Sequence, residues 1–253
     1  MKYIVLFIFI LCVVYVHFRG KVRYKFWRQL SDHSTFVSPI NVFMYLFSRV
    51  PGTPYLKQDL FPELGVLRDN WLKIREEGKA LMEVQQIKAS VKAAMFAELP
   101  DGSRLPRHRD PYAGSLRYHL GLITPNDDRC FIDVDGTTYS WRDGEGVLFD
   151  ETYIHYAENQ SGQDRLILFC DIERPMRYRW AQWVNHWLGR NLMSAATAPN
   201  EEGDRTGGVN RAFKYIYAVR KVGKRLKAWN RRIYYLIKWL LFGGIAALIF
   251  YAL

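Results

Sequence analysis

Apolar residues follow three patterns along this chain. They form an almost unbroken run from Tyr3 to Phe18 and a second run from Ile233 to Leu253, which only Lys238 interrupts. Between residues 64 and 78 they recur at helical spacing, and from about Lys92 onward they fall into short alternating segments. The patterns predict an apolar helix at each end, a helix near residue 64 that stops at Gly78, and a set of strands between them.

The alternating segments indicate an antiparallel β domain. In the stretch from Leu116 to Ile123, leucine and tyrosine side chains point to one face, while Arg117 and His119 point to the other. A hairpin is predicted to turn at Asp135-Gly136, and two further strands are predicted at 146–150 and 165–172. Several short strands with turn signals at this spacing favour an antiparallel barrel or jelly roll.

The two apolar ends predict membrane anchors, although the first run, at 16 residues, is slightly short for a span. Basic residues follow the first run and precede the second, and no small-residue cleavage site is present. We therefore interpret the first run as an uncleaved anchor rather than a signal peptide. By the positive-inside rule, the domain between the anchors is expected to face the cytoplasm.

Charge indicates the class of partner, and cysteine content indicates the cellular compartment. The formal net charge is +11, so an anionic partner is expected. The cations concentrate beside the apolar ends rather than across the predicted sheet, which favours an anionic membrane surface and argues against nucleic acid. Three cysteines form no disulfide framework, in agreement with a reducing compartment.

The candidate chemistry lies in three short motifs. His108 and Asp110 form an H-x-D motif, His155 follows about two strands later, and Arg165 begins the next strand. Non-haem Fe(II) oxygenases use two imidazoles and one carboxylate, which leave positions open for a chelating 2-oxo acid and for O2. A buried arginine suits the distant carboxylate of that 2-oxo acid.

These motifs carry a family resemblance over about residues 60–175. The segments RHRDPYAGSLRYHLGL from residue 107, VLFDETYIH from 147 and RLILF from 165 resemble the aspartyl/asparaginyl β-hydroxylase family. With the apolar ends and the basic tail, the chain is similar to the lipid A 2-hydroxylase branch. The resemblance implies a mainly β fold, with a double-stranded β-helix (jelly-roll) 2-oxoglutarate oxygenase core, flanking helices and a membrane helix at each end.

The resemblance also assigns site residues. His108 and His155 match iron ligands, Arg165 matches the arginine that binds the 2-oxoglutarate carboxylate, and Arg117 and His119 match residues near the metal-binding end of this co-substrate. Two positions depart from the protein-hydroxylating branch. That branch has glycine where this chain has Asp110, so Asp110 either completes the iron triad or points to solvent. Ala97 replaces a serine that helps to hold the co-substrate.

The resulting expectation is a bacterial Fe(II)/2-oxoglutarate dioxygenase that hydroxylates the 2-position of a secondary acyl chain of lipid A, with O2 as co-substrate, at the inner membrane. Its rivals are a hydroxylase of another acyl lipid such as ornithine lipid, a hydroxylase of Asp or Asn side chains, and a non-enzymatic membrane scaffold. The oligomeric state stays open. The predicted domains are an anchor at 1–19, a basic juxtamembrane segment at 20–59, the catalytic domain at 60–180, a Trp-rich and basic amphipathic segment at 181–232, and an anchor at 233–253.

Overall fold

The computed structural model describes residues 2–83, 94–193 and 222–252. Contacts divide the chain into two compact units, one of residues 9–190 and one that combines residues 1–8 with 191–253. Every predicted site residue lies in the first of these units.

Helices flank the sheets in the sequence. They are α1 (Lys2–Phe18), α2 (Phe26–Leu30), α3 (His33–Phe36), α4 (Ser38–Phe47), α5 (Glu63–Asp69), α6 (Trp71–Glu83), α7 (Arg179–Leu188), α8 (222–229) and α9 (Arg231–Ala252). A 3₁₀ turn at Gln58–Leu60 and a π-helical turn at Gly189–Met193 complete the helical part of the described ranges.

The strands form two antiparallel sheets. They are β1 (Tyr55–Leu56), β2 (Ala94–Leu99), β3 (Arg104–His108), β4 (Ser115–Ile123), β5 (Cys130–Val134), β6 (Thr137–Ser140), β7 (Gly146–Phe149), β8 (His155–Asn159) and β9 (Arg165–Glu173). One sheet has the order β1-β7-β4-β9-β2 and the other has the order β3-β8-β5-β6. From β2 to β9 the chain crosses repeatedly between the two sheets: β2, β4, β7 and β9 lie in the first sheet, and β3, β5, β6 and β8 lie in the second. This alternation is the connectivity of a jelly roll.

Strand β4 shows how the sequence pattern builds two cores. Leu116, Tyr118, Leu120 and Leu122 are fully buried and pack in a cluster with residues of α5 and α6. Residues of the opposite face point toward the second cluster, which contains residues of both sheets. The predicted alternation is confirmed, and it places His119 between the sheets with 6% of its surface exposed.

The predicted hairpin is also confirmed. Asp135 and Gly136 join β5 to β6, and their φ angles of 55° and 82° are those that a two-residue turn of this kind requires. The Asp135 carboxylate accepts hydrogen bonds from the backbone N–H groups of Lys21 and Val22, at 2.9 and 2.8 Å. The turn therefore also anchors the segment that follows α1.

The predicted helix near residue 64 is present, but its stop at Gly78 is wrong. The helix is interrupted at Asn70, between α5 and α6, and α6 continues through Gly78 to Glu83. A Cβ atom on Gly78 would lie 3.0 Å from side-chain atoms of Leu166 and Phe96. The glycine is thus explained by the close approach of α6 to the sheet rather than by a helix end.

The predicted fold class is wrong in two respects. The chain is mixed α and β rather than mainly β, since helices precede and follow the sheets. Within the described ranges, no helix has both the length and the apolar character needed to cross a membrane, so the predicted membrane helix at each end is wrong. Helix α1 has 17 residues, which span about 25 Å against a hydrocarbon core of about 30 Å. Helix α9 has 22 residues, but it begins with two arginines and contains Lys238.

The residue that follows α1 is buried in the larger unit. The Arg19 guanidinium lies 3.9 Å from the centre of the Tyr45 ring and 4.0 Å from that of Tyr153. It donates to the Asp150 carboxylate at 2.6 Å, and Arg174 donates to the same oxygen at 2.7 Å. Asp150 is fully buried; burial alone would raise its pKa, but the two guanidinium groups lower it below its ordinary value.

Candidate metal centre

Two histidines face each other across the pair of strands β3 and β8. His108 ends β3, His155 begins β8, and the two residues are register partners whose ring centroids lie 4.3 Å apart. Each Nδ1–H donates to a backbone carbonyl two residues earlier, His108 to Pro106 at 2.8 Å and His155 to Tyr153 at 3.0 Å. Because a carbonyl only accepts, this arrangement leaves both Nε2 atoms available to a metal ion.

The protonation state of His155 fits this role. Burial, followed by the electrostatic effect of His108, lowers the pKa of His155 to about 4, against an opposing contribution from Asp110. The imidazole is therefore neutral near pH 7, which is the form that binds metal.

Asp110 completes the cluster. Its backbone N–H donates to the Glu151 carbonyl at 2.9 Å, which fixes the turn after β3. One ligand atom from each of His108, Asp110 and His155 lies within 4.8 Å of the others. Burial alone would raise the pKa of Asp110, but the Arg117 guanidinium lowers it below its ordinary value, so the carboxylate is ionised. The side chain thus lies with the histidines and does not point away to solvent.

This donor set is compatible with a metal ion. Two imidazoles and one carboxylate make up the facial triad of non-haem Fe(II) sites, which leaves further coordination positions open. The roles of the three residues as iron ligands stay predictions.

Arg117 is surrounded by carboxylates. Its side chain lies 2.5 Å from Asp110, 2.5 Å from Glu151 and 3.1 Å from Asp171. Burial alone would lower the pKa of Arg117, whereas the three carboxylates raise it above its ordinary value. Burial raises the pKa of Glu151 well above its ordinary range despite Arg117, and Ser115 donates to this carboxyl group at 2.6 Å. Arg117 therefore holds Asp110 in place.

Arg165 has the opposite surroundings. It is 4% exposed, its guanidinium lies 4.1 Å from the centre of the Trp141 ring, and no carboxylate of the described residues pairs with it. Burial lowers its pKa to about 10, so the side chain stays cationic at pH 7. The Nε atom has no hydrogen-bond partner in the described structure. A buried cation without a counter-charge is costly, which is the condition that a bound carboxylate would relieve.

His119 lies between the histidine pair and Arg165. The Phe149 ring contacts both His119, at 5.0 Å, and His155, at 5.8 Å, while the Trp141 ring is 6.0 Å from His119. Both ring nitrogens of His119 are buried without a hydrogen-bond partner in the described structure. Burial, with repulsion from Arg165 next, lowers the pKa of His119 well below its ordinary value, so the ring is neutral.

Of the six residues predicted for the site, His119, His155 and Arg165 are buried, and His108, Asp110 and Arg117 are half-buried. The three predicted ligands form one cluster, and Arg117 forms an ion pair with Asp110 of that cluster. His119 contacts the Phe149 ring, on the path from the cluster to Arg165. Ala97 lies on β2 opposite Ile167 of β9, and its methyl group packs against the interior cluster. Arg117 is already engaged by three carboxylates, so its predicted contact with the co-substrate stays a prediction.

The sequence analysis missed Glu151 and Asp171. Glu151 follows Asp150 in a polar turn, where nothing in the pattern marks it as buried. Asp171 is the register partner of Arg117 on the neighbouring strand. That cross-strand charge pair can be found only after the register of β4 and β9 is known.

A family comparison decides the class of this domain. Residues 79–175 match the model of the aspartyl/asparaginyl β-hydroxylase family. The chain contains an aspartyl/asparaginyl β-hydroxylase domain. This confirms the predicted family, and it places the histidine pair, Asp110 and Arg165 inside the hydroxylase domain.

The chain matches curated relatives over a minor part of their length. The ornithine lipid ester-linked acyl 2-hydroxylase of Rhizobium tropici is 42% identical over 100 residues, which are 39% of this chain and 35% of that protein. The aspartate β-hydroxylase domain-containing protein 2 of Mus musculus is 33% identical over 85 residues, or 32% of this chain and 24% of that protein. The human aspartyl/asparaginyl β-hydroxylase is 31% identical over 80 residues, or 32% of this chain and 10% of that protein.

Among solved structures, part of the chain is weakly similar to cupins. A cupin domain of a transcriptional regulator from Enterobacter cloacae has a TM-score of 0.27 and 16% identity, and the match covers 32% of this chain and 80% of that chain. A cupin protein from Bacteroides fragilis has the same TM-score and identity, with 32% and 64% covered. These scores are too low to add to the family assignment.

Proposed function

We propose that the protein is an Fe(II)- and 2-oxoglutarate-dependent dioxygenase that hydroxylates the 2-position of a fatty-acyl chain in a membrane lipid. The observation that carries the proposal is a pair of linked features. A cluster of two histidines and one carboxylate is joined, through the rings around His119, to a buried arginine that has no carboxylate partner among the described residues. Both features fit a metal ion chelated by an acid with a second, distant carboxylate.

In this proposal the chain's own residues position the reactants. His108, Asp110 and His155 hold the iron, and Arg117 keeps the Asp110 carboxylate oriented toward it. Arg165 binds the distant carboxylate of 2-oxoglutarate through its guanidinium. When bound, the iron and 2-oxoglutarate supply the oxidising chemistry with O2. The aromatic rings around His119 exclude water from the space between them.

Lipid A is the predicted lipid, and ornithine lipid is the second candidate. The second is favoured by the relative from Rhizobium tropici, whose name gives an ornithine lipid as its substrate. We propose the cytoplasmic face of a bacterial inner membrane as the location. The basic residues beside both apolar ends and the free cysteines support it.

The direct test incubates the purified full chain with Fe(II), 2-oxoglutarate and O2 and either lipid A or ornithine lipid. Mass spectrometry is expected to show one added oxygen on an acyl chain of one of these lipids, with stoichiometric release of succinate. Oxidation of Asp or Asn in peptides, with both lipids unchanged, would overturn the lipid assignment. A folded sample that binds no Fe(II) under anaerobic conditions would instead support the scaffold.

A matched pair of variants makes this test specific. His155→Ala is expected to abolish Fe(II) binding and succinate release, because it removes one of the two imidazoles of the cluster. His33→Ala removes a half-exposed histidine of α3 and is expected to leave both unchanged. Equal loss in both variants would show that the effect comes from unfolding rather than from the metal centre.

A further inference from the structure

Helix α7 turns its aromatic face outward. Trp180, Trp183 and Trp187 are 52%, 65% and 52% exposed, whereas the buried positions of the helix are Ala181 and Asn185. This reverses the usual order, in which large apolar side chains face the core and polar ones face water. Three half-exposed indoles leave roughly 100 Å² of apolar surface each, which approaches the size of patches that mark interaction sites.

The exposed face continues onto helix α4. The Phe47 ring lies 4.8 Å from Trp180, and Tyr178 stacks on Trp180 at 6.2 Å. Beside Phe47, Leu46 is 63% exposed. The α4–α7 aromatic surface is formed by Leu46, Phe47, Tyr178, Trp180, Trp183 and Trp187. It is one continuous apolar surface rather than a set of scattered exposed residues.

The charges around this surface are mainly positive. Segments 33–50 and 174–193, which contain both helices, have no aspartate or glutamate, and the exposed acidic residue next to them is Glu173, which accepts from Gln182 of α7 and pairs with His186. Four exposed arginines lie in the same segments, namely Arg49, Arg177, Arg179 and Arg190. Tryptophan and tyrosine are enriched where proteins meet the headgroup region of a bilayer, and nearby arginines add attraction to anionic lipids.

The buried faces of the same two helices hold the loop that follows Asp110. From α7, the Asn185 amide donates to the Gly114 carbonyl at 2.9 Å, and the Tyr112 hydroxyl donates to the Asn185 carbonyl at 2.9 Å. From α4, the Asn41 amide donates to the Pro111 carbonyl at 3.0 Å. The helices that present the aromatic surface therefore also position the chain next to the candidate metal ligand.

We propose that the α4–α7 aromatic surface docks on an anionic lipid bilayer and thereby sets the orientation of the hydroxylase domain toward its membrane. The inference deepens the proposed function, on which the membrane as the source of substrate rests. A lipid bilayer is the partner that fits best, because exposed indoles share these two segments with four exposed arginines, whose positive charge exceeds that of the neighbouring Glu173, itself paired with His186.

The test places a reporter on the surface of the full chain. Cys12→Ser removes the least buried cysteine, and Trp183→Cys then accepts an environment-sensitive fluorophore. A matched variant carries the label at Leu72→Cys on α6, a position that is 58% exposed and outside the surface. Vesicles of phosphatidylcholine, with or without phosphatidylglycerol, are added without metal or 2-oxoglutarate, so failure of the hydroxylase proposal does not affect the readout.

With anionic vesicles, the label at position 183 is expected to shift to the blue and gain several-fold in intensity, and added salt reverses the change. The label at position 72 stays unchanged. Equal shifts at both positions, or no shift at 183 while the protein sediments with vesicles, would overturn the proposal. A shift at 183 without lipid that grows with protein concentration, or one that appears only with RNA or DNA, would assign the surface to another partner.

A charge variant gives a second measure. Trp183→Glu is expected to weaken partition onto anionic vesicles by about tenfold, since it replaces apolar area with a repelled carboxylate. Leu72→Glu adds the same charge elsewhere and is expected to change partition less than twofold. Circular dichroism checks that both variants fold. An equal loss of partition in the two variants would contradict the proposal that this surface docks on the bilayer.

Discussion

Two buried arginines of the hydroxylase domain, Arg117 and Arg165, have opposite electrostatic surroundings. Arg117 contacts three carboxylates, and its pKa is raised above its ordinary value. Arg165 lies over an indole ring without a carboxylate partner among the described residues, and burial lowers its pKa to about 10. The difference separates two roles. A cation that the fold has already neutralised holds other groups in place, whereas one left without a counter-charge is prepared for an anion from outside.

The largest expected effect is on stability, in Arg117→Met. This change leaves three carboxylates without their cation, and removal of one partner from a buried ion pair typically lowers the free energy of unfolding by about 3–5 kcal/mol. Urea denaturation measures the loss. Addition of Glu151→Gln to the same variant is expected to restore part of it, because one buried acid becomes neutral. A stable Arg117→Met protein would remove the distinction between the two arginines.

Arg165→Met is expected to affect ligand binding rather than stability. The free energy of unfolding is expected to stay the same or rise, because removal of Arg165 leaves no buried carboxylate without a counter-charge. The apparent KM for 2-oxoglutarate is expected to rise by about 100-fold, as for loss of a buried charge pair of about 3 kcal/mol. Arg129→Met, which removes an exposed arginine of a turn, serves as the control in succinate release assays. An unchanged KM in Arg165→Met would refute the assigned role.

Arg117→Lys sharpens the comparison at constant charge. Lysine retains the cation but loses the planar fork that contacts Asp110 and Glu151 together. We expect a folded protein whose affinity for Co²⁺, measured as a spectroscopic substitute for iron, falls by about 10- to 100-fold, as for other residues that orient metal ligands. Arg165→Lys is the matched change, and its Co²⁺ affinity without 2-oxoglutarate is expected to equal that of the wild type.

The smallest expected effect is the pH dependence that comes from His119, the residue next to Arg165. Its pKa in the folded state is well below the ordinary value of 6.5. Below about pH 6.5 the unfolded chain therefore binds a proton that the folded chain excludes, and stability falls as the pH falls, by up to about 1.4 kcal/mol per pH unit. His119→Phe is expected to have a shallower decline between pH 7 and 5 in thermal unfolding. Parallel curves for the two proteins would contradict a buried neutral His119.

Much of the local fold and the composition of the site could be predicted because each rests on local pattern. The alternation in β4 placed His119 in the interior, and the turn at Asp135-Gly136 follows from backbone conformations that few residues adopt. The two histidines could be paired because their spacing fits a known ligand chemistry. The identity of the predicted site residues therefore came from short segments of sequence.

The rest depended on contacts between distant segments. Glu151 and Asp171 join the site only through the register of neighbouring strands, which a single sequence does not specify. Gly78 was interpreted as a helix end because glycine often ends helices. Its actual cause, the close approach of α6 to the sheet, is a tertiary contact that the sequence pattern does not show. The apolar ends were predicted to be membrane anchors from their hydropathy and their basic flanks, and no helix of the described ranges has the length and apolar character that a span requires.

The burial of Arg19 has a practical consequence for protein production. A shortened chain that starts at residue 20 would remove the apolar first run, as is often done to improve expression. It would also remove one of the two guanidinium groups that neutralise Asp150, and it would leave the facing rings of Tyr45 and Tyr153 around an empty space. The start point for a truncated hydroxylase domain should therefore lie before Arg19 and the buried Val16, with the exposed apolar residues upstream replaced by polar ones rather than the arginine removed.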